Sequence, residues 1–521
     1  MLRWKSFCFN TLHKLNSFLK KSMTQSRTLS IDALRGLAII GMVLSGSITF
    51  AGTLPAWMYH AQVPPPEHRF IPTLAGITWV DLVFPFFLFS MGAAIPLAFH
   101  NKMLPKTWRE YIVSGRTLLK RGLLLAFFAI FTQHVKVFAY ANAEQTGVPV
   151  WMPHVVGLLG YALLFLMFTR FPRTLVKSAQ WENILQASGI ALSAGLMIFL
   201  TYPQHPQFGT SWNPLRSDII LLVLSNVAVF GSAIWLLTRT NTMLRLGLLT
   251  FFLALRLSLS EPAFTGSWQH WLWFATPAVW LFKVYFLQYL FIVLPGTVAG
   301  EMFVEHSSEH GNEQAKKSAT QDSVPYSTVF HLNLKAFVAF AFIPVNLIGL
   351  FTREVAWNLV ANVMLVGVGI WLFRQNVHSA AERLHLKLWH WGVYWLLLGL
   401  AFEVFEGGIK KDKSTLSYYF LTSGLAFFLL IVFQMFTEEI RLWKPFAALS
   451  QSIIECGQNP MIAYVTGGML LLPLLGLTGL QAWYNAVFAG AWLGLLRGVL
   501  FTALVVMITQ WFTKRRIFWR T

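Results

Sequence analysis

The stretch WVDLVFPFFLFSMGAAIPLAF, residues 79–99, is 21 residues long and carries a single charge, that of Asp81. About 20 consecutive apolar residues allow an α-helix to cross the hydrocarbon core of a bilayer, which is roughly 30 Å thick. A strand of an outer-membrane barrel would instead alternate apolar and polar residues over about ten positions, and this stretch does not alternate. It therefore predicts a membrane-spanning helix.

The composition of the whole chain resembles that of this stretch. Its 521 residues are 56% hydrophobic and 12% charged, and the mean hydropathy is +0.56. A soluble protein carries roughly 45–50% apolar and about 25% charged residues. The composition excludes an ordinary soluble protein, a disordered chain and a disulfide scaffold. The predicted fold class is an all-α, polytopic helical membrane protein with about 12–14 transmembrane helices.

The apolar segments are separated by short polar loops, and fourteen of them are predicted to span the membrane. These segments are 36–54, 79–99, 118–133, 151–169, 184–201, 218–238, 244–256, 276–300, 335–351, 355–373, 388–405, 416–436, 460–476 and 484–512.

The distribution of basic residues predicts the orientation of these spans. If the amino terminus is cytoplasmic and the spans alternate, 30 of the 40 Lys and Arg residues fall on the cytoplasmic side and seven on the outer side. The other three, Arg256, Lys283 and Arg497, fall within or at the end of spans. Cytoplasmic loops are enriched in Lys and Arg, so both termini are predicted to be cytoplasmic. The net charge of +19 is thereby explained by topology, and no nucleic-acid partner is predicted.

The chain is predicted to consist of four parts. A basic extension, 1–29, lacks a signal-peptide cleavage pattern, and Met23 within it is an alternative start. Two transmembrane halves, 30–304 and 329–521, flank a polar run at 305–328 that predicts a flexible cytoplasmic linker. The two cysteines, Cys8 and Cys456, have no metal-binding spacing, so no metal is predicted.

Polar residues in or beside a span mark candidate sites, because the bilayer makes them costly. Asp32 and Arg35 are three positions apart on one helical face; they form either a helix-start ion pair or the polar mouth of a cavity. On the outer side, the loop before the second span carries His60 and His68, and Asp81 opens that span. A histidine beside such an aspartate is a candidate general base, although a loop histidine is often simply solvated.

Two further clusters lie later in the chain. The outward segment 403–415 contains Lys410, Lys411 and Lys413, which either bind an anionic group or pair with Glu403, Glu406 and Asp412. Lys283 and Arg497 are alternative partners for Glu403. Asn459 precedes Pro460 at the start of a span, where its amide either caps the helix or holds an oxyanion.

Several short motifs occur in the order found in one known family. They are SIDALRG (30–36), YHA (59–61), WVDLVFPFFLFSMG (79–92), KVYFLQYLFIVLPGT (283–297) and FEGGIKKDKST (405–415). Together with IKKDKSTLSYYFLTSGLA (409–426), they resemble the heparan-α-glucosaminide N-acetyltransferase group, in particular an uncharacterised bacterial branch of it. The resemblance extends over roughly residues 30–500.

This resemblance implies a membrane acyltransferase that moves an acetyl group from cytosolic acetyl-CoA to an amino sugar, of the glucosamine type, at the extracytoplasmic face. The family's essential histidine falls on His60, which would act as the base or as a transient acetyl carrier. Asp81 would orient His60, and Asn459 would serve the oxyanion. His68 and Lys411 would bind the acceptor glycan.

The cytoplasmic mouth is the expected binding place for the phosphates of acetyl-CoA, the co-substrate. Asp32, Arg35 and Arg121 are the residues predicted there, with Arg116 and Lys120 nearby. The predicted location is the inner, cytoplasmic membrane, so the lipid bilayer is the surrounding partner. A homodimer is compatible with the sequence.

Two departures from the family pattern keep other functions open. Gly46 and Ser47 stand where the acetyltransferases carry an Asn, and PHVVGLL (153–159) replaces an element that carries a Gln-Arg pair in the family. The alternatives are a multi-pass transporter of sugars or anions and a non-catalytic member of the acyltransferase fold.

Overall fold

The structure is a computed structural model, and it describes residues 28–50, 54–100, 105–140, 148–170, 179–204, 207–258, 265–316, 326–375, 377–439 and 444–521. Nearly all of the predicted extension 1–29, with Cys8 and Met23, lies outside the described residues.

The described chain is built almost entirely of helices. In the first half they are α1 (Leu29–Ser45), α2 (Trp79–His100), α3 (Trp108–Val135), α4 (Met152–Phe168), α5 (Ala179–Phe199), α6 (Ile219–Thr238), α7 (Thr242–Leu257), α8 (Trp268–Trp273) and α9 (Leu290–Lys316). In the second half they are α10 (Tyr326–Phe351), α11 (Val355–Arg374), α12 (Ala380–Phe405), α13 (Leu416–Gln434), α14 (Lys444–Gln458), α15 (Pro460–Thr466), α16 (Leu472–Leu477), α17 (Leu480–Val487) and α18 (Ala491–Lys514).

Short elements complete the architecture. A 3-10 turn, Val284–Tyr289, leads into α9, and a π-helical turn, Gly467–Leu471, joins α15 to α16. Two short strands, β1 (Thr169–Arg170) and β2 (Phe518–Trp519), pair antiparallel.

The prediction of a polytopic helical membrane protein is confirmed. Within the described residues, eleven helical segments are long and apolar enough to cross a membrane, and the shorter helix α4 is apolar as well. Each of the fourteen predicted spans overlaps a helix, but eleven long apolar segments among the described residues are fewer than the predicted 12–14. Those absent from the eleven are α1, α4 and α7, which have only 16 or 17 residues each.

Several predicted boundaries are wrong; α3, for example, begins at Trp108 rather than at 118. Helix α1 begins at Leu29 rather than 36, so Asp32 and Arg35 lie within it. The predicted span 276–300 begins only at Val284, because Thr276–Lys283 forms turns with a single bridge between Ala278 and Phe282. The predicted span 484–512 is broken between α17 and α18 at Gly490, whose φ of 90° ends helical geometry there.

Helix α2 packs against α1 and α9. The approach to α9 is close, since a Cβ on Gly92 would overlap the backbone of Val293, and one on Gly296 would overlap that of Phe89. Small residues facing each other in this way allow helix backbones to approach and pack in a membrane. The tight packing fixes the position of Asp81 at the amino-terminal end of α2.

The predicted linker 305–328 is partly helical. Helix α9 continues to Lys316, and ion pairs of 2.8 Å and 2.7 Å join Glu309 to Arg383 and Glu305 to Lys387 in α12. Residues 317–325, in the middle of the run, lie outside the described part of the chain. The division into two halves stays a prediction.

Candidate functional site

The loop between α1 and α2 carries His60 and is fastened by hydrogen bonds of Tyr59, the residue before it. The hydroxyl of Tyr59 donates to the carbonyl of Thr49 at 2.8 Å, and Thr78 Oγ1 donates to the carbonyl of Tyr59 at 2.6 Å. These bonds hold the histidine next to the first turn of α2.

Asp81 is the buried anchor of the site. Its Oδ1 lies 2.8 Å from Nδ1 of His60. Its Oδ2 accepts hydrogen bonds from the backbone N–H of Ala61 at 3.2 Å and from the N–H and hydroxyl of Thr78 at 2.9 Å and 3.2 Å. Only 2% of the Asp81 side chain is exposed. A carboxylate with this many donors has a single orientation, so it also fixes the ring of His60.

Lys411 is the third charged group. Its Nζ lies 3.1 Å from Nδ1 and 3.3 Å from Nε2 of His60, and 4.0 Å from Oδ1 of Asp81. A position in the ring plane at similar distances from both nitrogens would collide with Cε1, which lies between them. The ammonium therefore stands over the face of the imidazole, and the in-plane lone pair of Nε2 is left open.

The loop that carries Lys411 is closed on itself. The Glu406 carboxylate accepts the backbone N–H groups of Leu416 and Ser417 at 2.7 Å and 2.8 Å, which caps α13. The N–H of Lys410 donates to Oγ1 of Thr415 at 3.0 Å. Capping explains why an acidic residue stands ten positions before the helix, and it gives the loop a defined shape.

Gln62 joins the two loops. Its Oε1 accepts the N–H of Asp412 at 2.8 Å, and its Nε2 donates to the carbonyl of Asp412 and to that of Pro72. From α13, the Tyr418 hydroxyl donates to the carbonyl of Asp81 at 2.6 Å. Sequence reasoning missed both residues. The only signal for Gln62 was its place two residues after His60.

The geometry permits general base chemistry. An imidazole that donates Nδ1–H to a carboxylate keeps a lone pair on Nε2, which is the tautomer that accepts a proton from a substrate. The His60 side chain is 39% exposed, so a ligand can reach it. Burial lowers the pKa of Lys411, and the nearby charge of Asp81 partly opposes that effect. An ammonium beside Nε2 is a suitable donor to a developing oxyanion.

His68, predicted to bind substrate, lies on another side of the loop. Its ring packs edge-on against Phe50 and Tyr59, with centroid distances of 4.9 Å and 4.5 Å. Within the described residues, neither ring nitrogen has a hydrogen-bond partner. The structure does not bring His68 together with the His60, Asp81 and Lys411 side chains.

Asn459 lies at the opposite end of the bundle, and its predicted role beside His60 is wrong. Its Nδ2 donates to the carbonyl of Ile517 at 2.8 Å, and its Oδ1 accepts the N–H of Trp519 at 3.2 Å. Ala491, at the start of α18, packs on the cluster that contains Tyr59, whereas Thr513, at the end of α18, contacts Asn459. Ala491 and Thr513 are 22 residues apart in the same helix, which at 1.5 Å per residue is about 33 Å.

The residues predicted to bind CoA phosphates do not form one site. Arg35 donates to Oδ1 of Asp32 at 3.2 Å and to the carbonyls of Gly457 and Ser90 at 3.3 Å and 3.4 Å. Its guanidinium is thus used in packing α1 against α14 and α2, which fits a structural role better than phosphate binding. Arg121 is exposed on α3 and shares none of these partners.

The predicted partners of Glu403 are also wrong. Glu403 is buried and forms an ion pair of 2.6 Å with Arg353, which precedes α11. Lys283 instead lies over the ring of Phe286, and Arg497 donates to Oδ1 of Asn485 at 2.8 Å. Spacing gave no indication of Arg353, because its contact with Glu403 depends on how α10, α11 and α12 are arranged.

Gly46 and Ser47, the first departure from the family pattern, line a cleft of about 550 Å³. His60 is not among its lining residues. In the second departure, His154 is buried at the start of α4, and its ring fills the space in which a Cβ on Gly476 would lie.

Comparison with known proteins gives a family but no activity. Residues 27–303 match the model of DUF5009, which is described as a domain of unknown function. The match covers more than half of the 521 residues, and the chain therefore belongs to this family. No curated protein matches the chain significantly.

Proposed function

We propose that this member of the DUF5009 family is a membrane acyltransferase that moves an acetyl group from cytosolic acetyl-CoA to an amino sugar at the extracytoplasmic face. The observation that carries the proposal is the constellation of His60, Asp81 and Lys411, in which a buried carboxylate orients an accessible imidazole beneath an ammonium. The motif resemblance to the heparan-α-glucosaminide N-acetyltransferase group supplies the acetyl donor and the class of acceptor.

In the proposed reaction, Nε2 of His60 takes a proton from the attacking amine. The amine nitrogen forms a bond to the thioester carbonyl carbon, and the negative charge that develops on its oxygen is stabilised by the ammonium of Lys411. Collapse of the tetrahedral intermediate breaks the carbon–sulfur bond. The CoA thiolate leaves and takes up the proton held by His60, so the products are an acetamido sugar and CoA-SH. Asp81 stabilises the imidazolium while the proton resides there.

The first test uses the purified full-length chain in detergent with radiolabelled acetyl-CoA and glucosamine. Wild-type protein should yield labelled N-acetylglucosamine, and His60→Ala should abolish the product while the amount of protein in the membrane stays normal. His270→Ala is the matched control, because His270 lies in α8 and packs on Phe274 rather than in the site. Full activity of the His60→Ala protein would remove the proposed base.

A second test separates two adjacent lysines. Nζ of Lys410 donates to the carbonyls of Glu406 and Gly407, whereas that of Lys411 stands over His60. Lys411→Met should lower kcat for acetyl transfer by roughly 10²-fold, as expected for loss of one donor to an oxyanion. Lys410→Met should stay within a few-fold of wild type. Equal effects of the two substitutions would contradict the assigned role.

The same preparations distinguish the transporter alternative. Uptake of labelled glucosamine into proteoliposomes without acetyl-CoA, combined with no acetylated product in detergent, would overturn the proposal in favour of a carrier. Acetylated product that depends on both acetyl-CoA and His60 would exclude a non-catalytic member of the fold.

A further inference from the structure

The 550 Å³ cleft lies beside the loop of His60 but is a separate feature. Its walls come from the carboxy-terminal end of α1, from the turn 136–138 after α3, and from α15 to α18. Phe50 lines the cleft on one side and stacks on Tyr59 on the other, with ring centroids 5.5 Å apart. The lining reaches from Tyr464 in α15 to Gln481 in α17.

One wall is a helix with its polar face turned inward. In α17, Gln481, Tyr484 and Asn485 line the cleft. The other face of α17 carries Leu480 and Trp483, of which 49% and 61% are exposed. In a water-soluble protein the apolar face would be buried, so the reversed arrangement indicates that lipid surrounds α17 and that this wall of the cleft is polar.

The charged residues of the lining are both cations. Lys136 has a partner, since its Nζ lies 3.2 Å from Oδ2 of Asp218. The hydroxyl of Tyr464 donates to the same oxygen at 2.8 Å. Arg497 donates from Nη1 to Asn485 at 2.8 Å and has no carboxylate partner within the described part of the chain. Lys136 and Arg497 carry two positive charges and Asp218 carries one negative charge, so the net charge at the cleft is +1.

The position of Arg497 makes that excess costly. It is the seventh residue of α18, and so lies about 9 Å along the helix from Ala491. A charged residue within a membrane span is costly and is found where it has a partner or a function. A neutral amide is a weak partner for a guanidinium, whose planar fork is suited to an oxyanion with two available oxygens.

We propose that this cleft binds the phosphate group of a singly charged amphiphile through the guanidinium of Arg497. The aliphatic and aromatic part of the lining, with Met42, Leu472 and Phe501, accommodates the apolar portion of the ligand. Asn485 holds the guanidinium in place, and Gln481 offers further hydrogen bonds to the headgroup. The proposal does not rest on acyl transfer, because binding requires neither acetyl-CoA nor His60.

The experiment measures the affinity of the purified full-length protein for three probes by microscale thermophoresis. Dioctanoyl phosphatidylglycerol carries a phosphate diester with one negative charge and short acyl chains. Dioctanoyl phosphatidylcholine has the same chains and phosphate but no net charge. Inorganic phosphate lacks the apolar part. We expect phosphatidylglycerol to bind more tightly than the other two.

Two substitutions locate the binding. Arg497→Gln should weaken phosphatidylglycerol binding on the order of 10- to 100-fold, as expected for loss of charge-assisted hydrogen bonds. Gly468→Leu should abolish it by filling the cleft, because Gly468 lines the cleft and a Cβ there meets no atom within 4 Å. Arg515→Gln is the control, since Arg515 lies past the far end of α18 over Trp511.

The relative affinities of the three probes decide whether the cleft binds a charged amphiphile. Binding of inorganic phosphate that is as tight as that of phosphatidylglycerol and equally sensitive to Arg497→Gln would overturn the assignment of an amphiphile, because the apolar part of the ligand would then contribute nothing to the affinity. The proposal fails if no probe binds wild-type protein, if phosphatidylcholine binds as well as phosphatidylglycerol, or if binding survives Gly468→Leu. The last substitution keeps the test decisive even if Arg497→Gln does not fold.

Discussion

Nδ1 of His60 lies 2.8 Å from Oδ1 of Asp81, and the two side chains differ sharply in exposure. The carboxylate is buried at the amino-terminal end of α2, where four hydrogen bonds hold it, whereas the imidazole is accessible from outside. The pair therefore couples a rigid anchor to a reactive group.

Replacing the anchor should disable the base without removing it. In Asp81→Asn, an amide N–H can donate to Nδ1, which places the ring proton on Nε2 and blocks proton acceptance. We expect kcat for acetyl transfer to fall by on the order of 10³- to 10⁴-fold, as such a tautomer change does in serine proteases. Glu67→Gln, which removes an exposed carboxylate from the same loop, should leave kcat unchanged. A kcat of Asp81→Asn within twofold of wild type would contradict the pairing.

Lys411 should titrate below an ordinary lysine. Burial lowers its pKa and Asp81 partly opposes this, so Asp81→Asn should lower the pKa of Lys411 further. The extent of amine modification at Lys411, followed by mass spectrometry against pH, should therefore have a midpoint below about 10.4, and a lower midpoint in Asp81→Asn. Because the folded state releases this proton first, the free energy of unfolding should rise with pH between the lowered pKa and about 10.4. A midpoint that is unchanged or higher in Asp81→Asn would contradict the interaction between the two groups.

Asn459 should affect stability and not chemistry. In Asn459→Ala the N–H of Trp519 and the carbonyl of Ile517 lose their partner inside the protein, which costs about 1–3 kcal/mol for a buried group. The thermal unfolding temperature should fall, while kcat per folded molecule should match that of wild type. A loss of kcat without a change in unfolding temperature would restore a catalytic role for this amide.

The pair of Arg353 and Glu403 should respond asymmetrically to mutation. Glu403 has 4% of its side chain exposed and Arg353 has 38%. Arg353→Met leaves a buried carboxylate without its cation, a change that costs about 3–5 kcal/mol in fully buried pairs and less here, because Arg353 is partly solvated. Glu403→Met leaves an arginine that reaches water, so its cost should be smaller.

The double variant completes this prediction. Arg353→Met combined with Glu403→Met should unfold at a higher temperature than Arg353→Met alone, because no uncompensated charge stays buried. Thermal unfolding of the four proteins in one detergent measures the effect. A double variant less stable than either single variant would mean that the ion pair itself stabilises the fold.

Particular residues show how far the sequence predicted the site. The sequence predicts the pairing of Asp81 with His60, because a charge at the start of an apolar helix and a histidine in the preceding loop are both unusual and lie close along the chain. The resemblance to the acetyltransferase group identified Lys411, but as a residue that binds the acceptor glycan and not as a group that stands over the imidazole of His60. Gln62, Tyr418 and Arg353 were missed, since their side chains act only through contacts made by distant segments.

The sequence by itself determined that this chain is a bundle of apolar helices, because hydrocarbon leaves no other way to satisfy the backbone of such long apolar segments. It also identified the charged residues that require a partner or a function, because a charge in or beside a membrane span is costly. Only the tertiary structure decided which of those charges meet. Lys411 reaches His60 across 351 positions of chain, and Asn459 is kept about 33 Å away by the length of one helix. Helix packing sets both distances, and the periodicity of the sequence does not predict how the helices pack.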